Sequence, residues 1–140
     1  MTHNAIHYRE MLPNDYEEVL SLWSGDRGIS IPTKELMNQY LEHNKSMCFV
    51  AYVHTDIIAT ISMGFDDGKY GILRHLFVHE KHRKHGVANH LIKLALNALK
   101  EHGASECRAF CFSDNTAGLK FWNDSSWEKR DDLTVFSTKL

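Results

Sequence analysis

The sequence predicts an α/β domain, because segments with strand patterns alternate with segments that have helical periodicity. The segment from Val87 to about His102 places its apolar residues on one helical face. Two apolar, β-branched segments, Met47–His54 and Ile57–Phe65, are separated only by Thr55-Asp56 and therefore predict a hairpin. The chain has 140 residues, 43% of them apolar, which is enough for one domain over residues 1–140 with its own core.

The remaining elements follow from the same patterns and from residues that begin or end helices. Thr33 is a favoured N-cap residue, and Gly103 is a favoured stop. We expect strands at Ile6–Met11, Tyr70–Val78 and Glu106–Phe112, helices at Asp15–Ser24, from Thr33 to about His43 and from Asn115 to about Asn123, and a closing hairpin of Trp127–Arg130 and Leu133–Thr138.

Composition and charge narrow the class of protein. The formal net charge of −2 disfavours binding to nucleic acid through overall electrostatics. The N-terminal residues are too polar for a signal peptide, and no apolar run is long enough to span a bilayer. Three cysteines within apolar runs favour free thiols over a disulfide framework. We therefore expect a cytoplasmic protein without a membrane partner.

The segment between the predicted strand Tyr70–Val78 and the long helix has the properties of a phosphate-binding loop. Backbone amides in the first turn of a helix have no intrahelical acceptor, and the helix dipole adds partial positive charge there. Gly86 allows a ligand to approach the backbone closely, and Arg83, Lys84 and His85 add positive charge. The pattern therefore favours binding of a pyrophosphate.

The same loop resembles the acetyl-CoA loop of the GNAT N-acetyltransferase superfamily. Residues Arg83–Ala88 match its pattern Arg/Gln-x-x-Gly-x-Gly/Ala, and Asn115 stands at the expected later position. The resemblance implies the element order β-α-α-β-β-β-α-β-α-β-β, with a mixed, mostly antiparallel sheet of six to seven strands flanked by about four helices. It also implies acetyl transfer from acetyl-CoA to a primary amine of a small molecule or a protein by direct attack, without a metal.

The resemblance assigns roles in cofactor binding. The strand before the loop usually bulges and separates from the next strand, and the pantetheine arm enters that gap. The main chain of Phe77 and Val78 would hold the arm, an amide there would polarise the thioester carbonyl, and Asn115 would contact the pantetheine. The pyrophosphate would lie on the loop residues Arg83, Lys84, His85, Gly86, Val87 and Ala88.

Two residues depart from the family pattern. The Phe-Tyr pair whose tyrosine acts as the general acid is replaced by Phe121-Trp122, and indole cannot supply that proton. His75 stands where a glutamate is common, and neutral imidazole is a suitable base, directly or through one water. A packed strand histidine is the alternative interpretation, and Tyr70 and Glu80 are further candidates for the base.

The acceptor amine is expected between the first two helices and the final hairpin. Trp23, Asp26 and Trp122 are the principal candidates, because an aromatic residue beside carboxylates favours a cationic amine. In the alternative interpretation Trp23 belongs to the core and the acids are solvated. Further candidates are Arg27, Tyr40, Asp131 and Asp132.

Three alternatives remain open at this stage. His79, His82 and His85 recur every third residue, which suggests zinc, but no cysteine lies near them. The basic stretch Lys81–His85 suggests RNA, but it lacks interleaved aromatic residues. The loss of the acid tyrosine is also compatible with a catalytically weak acyl-CoA-binding sensor on the same fold. Superfamily members are often homodimers, and no sequence feature decides the oligomeric state.

Overall fold

The computed structural model describes residues 5–24, 26, 29, 31–66 and 69–140. It contains two compact units, residues 1–110 and 111–140. Arg27, a candidate acceptor residue, lies outside the described residues. Among the described helices, none is long and apolar enough to cross a membrane.

The first unit contains a five-stranded sheet whose spatial order follows the chain. Neighbouring strands are antiparallel, except that the last two are parallel. This arrangement confirms the predicted α/β class and the mixed, mostly antiparallel sheet. The strands are β1 (His7–Glu10), β2 (Phe49–Val53), β3 (Asp56–Asp66), β4 (Tyr70–Val78) and β5 (Glu106–Ala109).

The described residues form four α-helices, the number expected. The Thr33 hydroxyl accepts a hydrogen bond from the Leu36 amide and so caps the second helix as predicted. Short 3-10 turns occupy Pro13–Asp15 and Glu80–His82. The helices are α1 (Tyr16–Trp23), α2 (Lys34–His43), α3 (Val87–Glu101) and α4 (Thr116–Asn123).

The predicted closing hairpin is wrong, and the sheet therefore has five strands where six to seven were expected. Residues 127–140, all described, form no strand. Residues 128–140 are all exposed, and Phe136 is 91% exposed. An isolated hairpin is marginal in water without a buried face, so the β-type pattern of Leu133–Thr138 is not sufficient to form one.

The helices of the first unit cover both faces of the sheet. Trp23 of α1 reaches Thr60 of β3, whereas Leu99 of α3 packs at the position of Met63 and Gly71. Because successive strand residues point to opposite faces, Thr60 and Met63 face different layers. A Cβ added at Gly71 would lie 2.6 Å from Leu99 Cδ2, so this glycine lets α3 approach β4 closely.

A bidentate ion pair connects β1 to the turn that begins α1. Arg9 Nη1 and Nη2 donate to the Asp15 carboxylate at 2.8 and 2.9 Å, and the Leu12 amide donates to it at 2.8 Å. Burial alone would raise the pKa of Asp15, but these hydrogen bonds outweigh burial and hold that pKa below its usual value. The pair therefore fixes the start of the helix that carries Trp23.

Replacing Asp15 by Asn should lower the free energy of unfolding by about 1–3 kcal/mol at pH 7, because a charged hydrogen-bond acceptor is lost. A depressed pKa stabilises the fold above the unfolded pKa, and this stabilisation is lost as pH falls through the folded pKa. The difference from wild type should therefore shrink below about pH 4. Urea unfolding at pH 7 and pH 3 measures the difference in unfolding free energy between the variant and the wild type. Asp124→Asn, in the exposed pair with Lys120, is the control, and an equal loss there would contradict the assignment.

Candidate active site

The candidate site lies at the carboxyl end of β4, where the chain leaves the sheet and enters α3. Residues 79–86 connect the two elements and contain the 3-10 turn Glu80–His82. The predicted strand, loop and helix are therefore present at the predicted positions.

A bulge interrupts β4 at His75. On β3, Thr60 pairs with Phe77 and Ser62 pairs with Arg74, so one β3 residue opposes two residues of β4. His75 has φ +52°, in the left-handed region, which histidine enters more readily than most non-glycine residues. An extra residue of this kind bends a strand and increases its local twist. The bulge expected from the family resemblance is therefore present.

The same strand has an open edge beyond the bulge. Pairing between β4 and β5 ends at Leu73 and Ala109, whereas β4 continues to Val78. Within the described residues, no strand of the sheet pairs with that edge from Arg74 to Val78. β5 ends at Ala109, so β4 extends beyond the end of its parallel partner, and the separation of two strands that the resemblance implies stays a prediction.

The direction of the backbone groups along this edge follows from the ladder. The His79 amide donates to the Ile58 carbonyl of β3 at 2.8 Å. Because alternate residues of an antiparallel strand bond to opposite sides, Phe77 bonds to β3, and the amides of Leu76 and Val78 face the open edge. The sequence prediction named Phe77 and Val78 for the pantetheine arm and did not include Leu76. The Leu76 amide nevertheless faces the open edge, whereas the Phe77 amide bonds to β3.

The loop ends in a glycine that could not be replaced without backbone strain. Gly86 has φ +79°, and a Cβ added there would meet no atom within 4 Å, so the space in front of it is open. Gly86 is also the N-cap of α3, and it has no side chain to cap the helix. Val87 is buried and anchors the helix, whereas Ala88 is half-buried. The arrangement leaves the first-turn amides of a 15-residue helix available to an anion.

Three exposed basic side chains surround this helix end: Arg83, Lys84 and His85. The Arg83 guanidinium lies 5.7 Å from the Phe77 ring centre, and its Nε donates to the Val78 carbonyl at 2.8 Å. Arg83 therefore links the loop to the open edge of β4. Lys84 also has a positive φ of 66°, which places two left-handed residues within the loop.

The His75 side chain is half-buried and held on two sides. Its Nδ1 lies 3.0 Å from Ser62 Oγ, and its ring stacks on the Trp23 indole with centres 4.6 Å apart and planes 15° apart. Tyr40 meets the imidazole edge-on at 6.3 Å. The packed environment and a role in proton transfer are compatible, because packing of this kind fixes the ring orientation.

The candidate acceptor residues near α1 and α2 differ in burial. Trp23 is 0% exposed, which matches the core alternative, and its contact with an acceptor stays a prediction. Asp26 is half-buried in the turn after α1, where its carbonyl accepts from the Ile29 amide. Burial raises the pKa of Tyr40 well above its usual value, and among the described residues its hydroxyl has no hydrogen-bond partner.

The remaining predicted residues belong to the second unit. Asn115 is the N-cap of α4, and its Oδ1 accepts from the Gly118 amide at 3.0 Å. The half-buried Trp122 contacts Phe121 and Trp127, with ring centres 5.1 and 4.7 Å apart. Asp131 and Asp132 are exposed and lie near basic neighbours in the chain. Their roles toward cofactor and acceptor stay predictions.

A cavity of about 460 Å³ opens beside the loop on the α1 side of the sheet. It shares Phe77 and Arg83 with the site and also contains two carboxylates, Glu18 and Glu80. The Glu18 carboxylate accepts from the Ile57 amide at 2.6 Å, so its position is fixed. The lining residues are Glu18, Ser21, Leu22, Ile57, Phe77, His79, Glu80 and Arg83.

Sequence reasoning missed the polar side chains behind the bulge. Thr60 and Ser62 are both 0% exposed, and both contact His75. A sequence signal was available, because β3 is an apolar strand with hydroxyl residues at positions i and i+2. Buried polar groups need hydrogen-bond partners, so these two residues indicated a polar contact. The zinc alternative gains no support. Among the described residues, no three His, Cys, Asp or Glu side chains lie close enough together to hold one metal ion.

Comparison with known proteins agrees with this geometry. The profile of the Acetyltransferase (GNAT) family matches residues 13–124. An acetyltransferase of Sodalis glossinidius is 27% identical over 130 residues, covering 91% of this chain and 90% of that protein. An acetyltransferase of Photorhabdus laumondii is 28% identical over the same shares of both chains.

Solved structures with low sequence identity share the fold. The aminoglycoside N-acetyltransferase AAC(6')-Iy in complex with CoA has a TM-score of 0.78 at 18% identity and covers 99% of this chain and 98% of its own. Ard1 from Thermoplasma volcanium has a TM-score of 0.76 at 20% identity, covering 85% of this chain and 80% of its own. Since the profile match extends over most of the sequence, the chain belongs to the GNAT acetyltransferase family.

Proposed function

We propose that the protein transfers the acetyl group of acetyl-CoA to a primary amine of a small molecule or a protein. The observation that carries this proposal is the open edge of β4 from Arg74 to Val78, which residues 79–86 connect to a helix N-terminus whose N-cap is a glycine. An extended arm with amide groups fits the edge, and a pyrophosphate fits the helix end. A cytoplasmic location agrees with the three free cysteines.

The residues available for the cofactor fit acetyl-CoA. The amides of Leu76 and Val78 face the open edge, and the Arg83–Ala88 loop offers backbone donors with three exposed basic side chains. The open space in front of Gly86 admits a phosphate that a side chain there would exclude. In this proposal Asn115 contacts the pantetheine arm, as the family pattern implies.

Transfer also requires polarisation of the carbonyl and removal of a proton from the acceptor. The Leu76 amide is the donor best placed on the bulge to polarise the thioester carbonyl. Only about one in 10³ lysine-like amines is neutral at pH 7, so a base assists attack. His75 lies in the bulge, where Trp23 and Ser62 hold its side chain, and it is the proposed base.

The acceptor is the least defined component. The cavity beside Phe77 and Arg83 carries the carboxylates of Glu18 and Glu80, which favour a positively charged amine over an acidic one. Structures of similar fold include aminoglycoside acetyltransferases, so aminoglycosides belong in a first panel with polyamines, amino acids and peptides.

One observation favours a second candidate function. Trp122 occupies the position of the usual acid tyrosine and packs between Phe121 and Trp127. A chain that binds acyl-CoA without that acid could act as a sensor. A thiolate with a pKa of about 8.5 leaves without much assistance, however, so the substitution is compatible with catalysis.

The test is a CoA titration by thermal shift, followed by thiol release on the amine panel. Saturating CoA at about 100 times Kd should stabilise the fold by about 2.7 kcal/mol. Thiol release above the hydrolysis rate with one amine class supports the transferase. CoA binding without turnover on any amine supports the sensor, and absence of CoA binding contradicts both.

Gly86→Ala and Gly86→Glu should weaken CoA binding, the second more strongly, because its carboxylate repels phosphate. The control is Gly103→Ala, since Gly103 also has a positive φ, +92°, with no atom within 4 Å of an added Cβ. The two alanine variants should lose similar stability. Calorimetry should show reduced CoA affinity only for the Gly86 variants, and equal affinities would remove the loop from the site.

His75→Asn should lower kcat while leaving CoA affinity within a few-fold of wild type. Asparagine tolerates the left-handed conformation of residue 75 but supplies no base, so it separates chemistry from backbone strain. The expected loss is about 10²- to 10⁴-fold, the usual contribution of a general base. Steady-state rates from pH 6 to 9 measure it, and rates equal to wild type throughout would show that His75 only packs.

A further inference from the structure

A chain of two hydrogen bonds, starting from two buried side chains, ends on the bulge of β4. The Trp23 indole Nε1 donates to Thr60 Oγ1 at 2.9 Å, and Thr60 Oγ1 donates to the carbonyl of His75 at 2.6 Å. Trp23 and Thr60 are both 0% exposed. Because the indole N–H occupies a lone pair of the hydroxyl, the hydroxyl proton is directed to the His75 carbonyl.

The Thr60 hydroxyl binds the carbonyl of the residue that forms the bulge. A bulge locally disrupts the regular backbone ladder, so a side chain can fix the orientation of a peptide plane there. His75 lies in this bulge, with φ +52°. The Thr60 hydroxyl satisfies its carbonyl from within β3 and so fixes the plane of the peptide that joins His75 to Leu76.

That peptide also contains the Leu76 amide, since the His75 carbonyl and the Leu76 N–H belong to one planar unit. A hydrogen bond that orients the carbonyl toward β3 therefore orients the N–H toward the opposite, open edge. The Trp23 indole also stacks on the His75 ring, and the Ser62 hydroxyl contacts Nδ1 of His75. These two contacts limit rotation of the His75 side chain.

We propose that Thr60, oriented by Trp23, is a positioning residue that directs the Leu76 amide at the thioester carbonyl. This inference rests on the proposed acetyl transfer. Trp23 orients the Thr60 hydroxyl. Thr60 does not touch the substrate and acts through the peptide unit that joins the His75 carbonyl to the Leu76 amide. Misplacement of an oxyanion donor by a fraction of an ångström weakens it much more in the transition state than in the ground state.

The decisive comparison is Thr60→Val against Thr60→Ser. Valine keeps the shape and loses the hydroxyl, whereas serine keeps the hydroxyl and loses only a methyl group. We expect Thr60→Val to lower kcat about 10- to 100-fold with CoA affinity unchanged, and Thr60→Ser to remain near wild type. Trp23→Phe, which keeps a ring on His75 but removes the indole N–H, should lower kcat by a smaller factor.

A spectroscopic readout separates positioning from folding. Infrared difference spectra of isotope-labelled acetyl-CoA, bound without acceptor, report how strongly the thioester carbonyl is polarised. The wild-type protein and Thr60→Ser should shift the carbonyl band to lower frequency, and Thr60→Val should lose most of that shift. Leu99→Ala, in the buried core on the other face of the sheet, controls for lost stability and should keep both the shift and kcat.

The possible results are distinguishable. A wild-type shift that Thr60→Val retains in full, with kcat unchanged, would overturn the positioning role while leaving acetyl transfer intact. Equal losses of kcat and shift in Thr60→Val and Leu99→Ala would also overturn it, because stability alone would then explain the effect. A wild-type protein that binds no acetyl-CoA would instead overturn the proposed function.

Discussion

The left-handed conformation of His75 is the constraint on which the candidate site depends. A non-glycine residue in this region costs about 1–3 kcal/mol and persists only where its surroundings over-determine it. Here the surroundings are a stacked indole, a hydroxyl on the ring and a second hydroxyl on the carbonyl. The bulge shifts the register of β4 against β3, and pairing with β5 ends at Leu73, where β5 itself ends at Ala109. His75 therefore lies in the part of β4 that extends beyond β5.

The topology of the sheet places the loop beside that gap. Parallel strands cannot be joined by a tight turn, so the chain must cross over between β4 and β5, and α3 provides the crossover. The helix must then begin at the carboxyl end of β4, which extends beyond the end of β5. One crossover thus places the amides of a helix N-terminus after a strand edge that carries the Leu76 and Val78 amides. Gly71 contributes by allowing α3 to lie close against β4.

Local signals made much of this arrangement predictable. The bounds of β4, the N-cap at Thr33 and the start of α3 at Val87 depend on periodicity and cap chemistry within a few residues, and the structure agrees. The prediction of a closing hairpin was wrong, because a strand-type pattern does not by itself provide a partner strand or a buried face. The position of the bulge, the burial of Trp23 and the pairing of Thr60 with the His75 carbonyl depend on contacts between distant segments, and no local pattern specifies them.

The chemistry of the thiols favours direct transfer over an acyl-enzyme. Burial raises the pKa of both Cys48 and Cys107 to about 11, and it also raises the pKa of Cys111. At neutral pH only about one in 10⁴ of the first two thiols would be ionised, and the thiolate is the nucleophilic form. In the proposed reaction an acetyl group held at the bulge would therefore pass to the amine itself, with cofactor and acceptor bound together. The proposal places the cofactor at the open edge of β4 and the acceptor in the cavity beside Phe77 and Arg83.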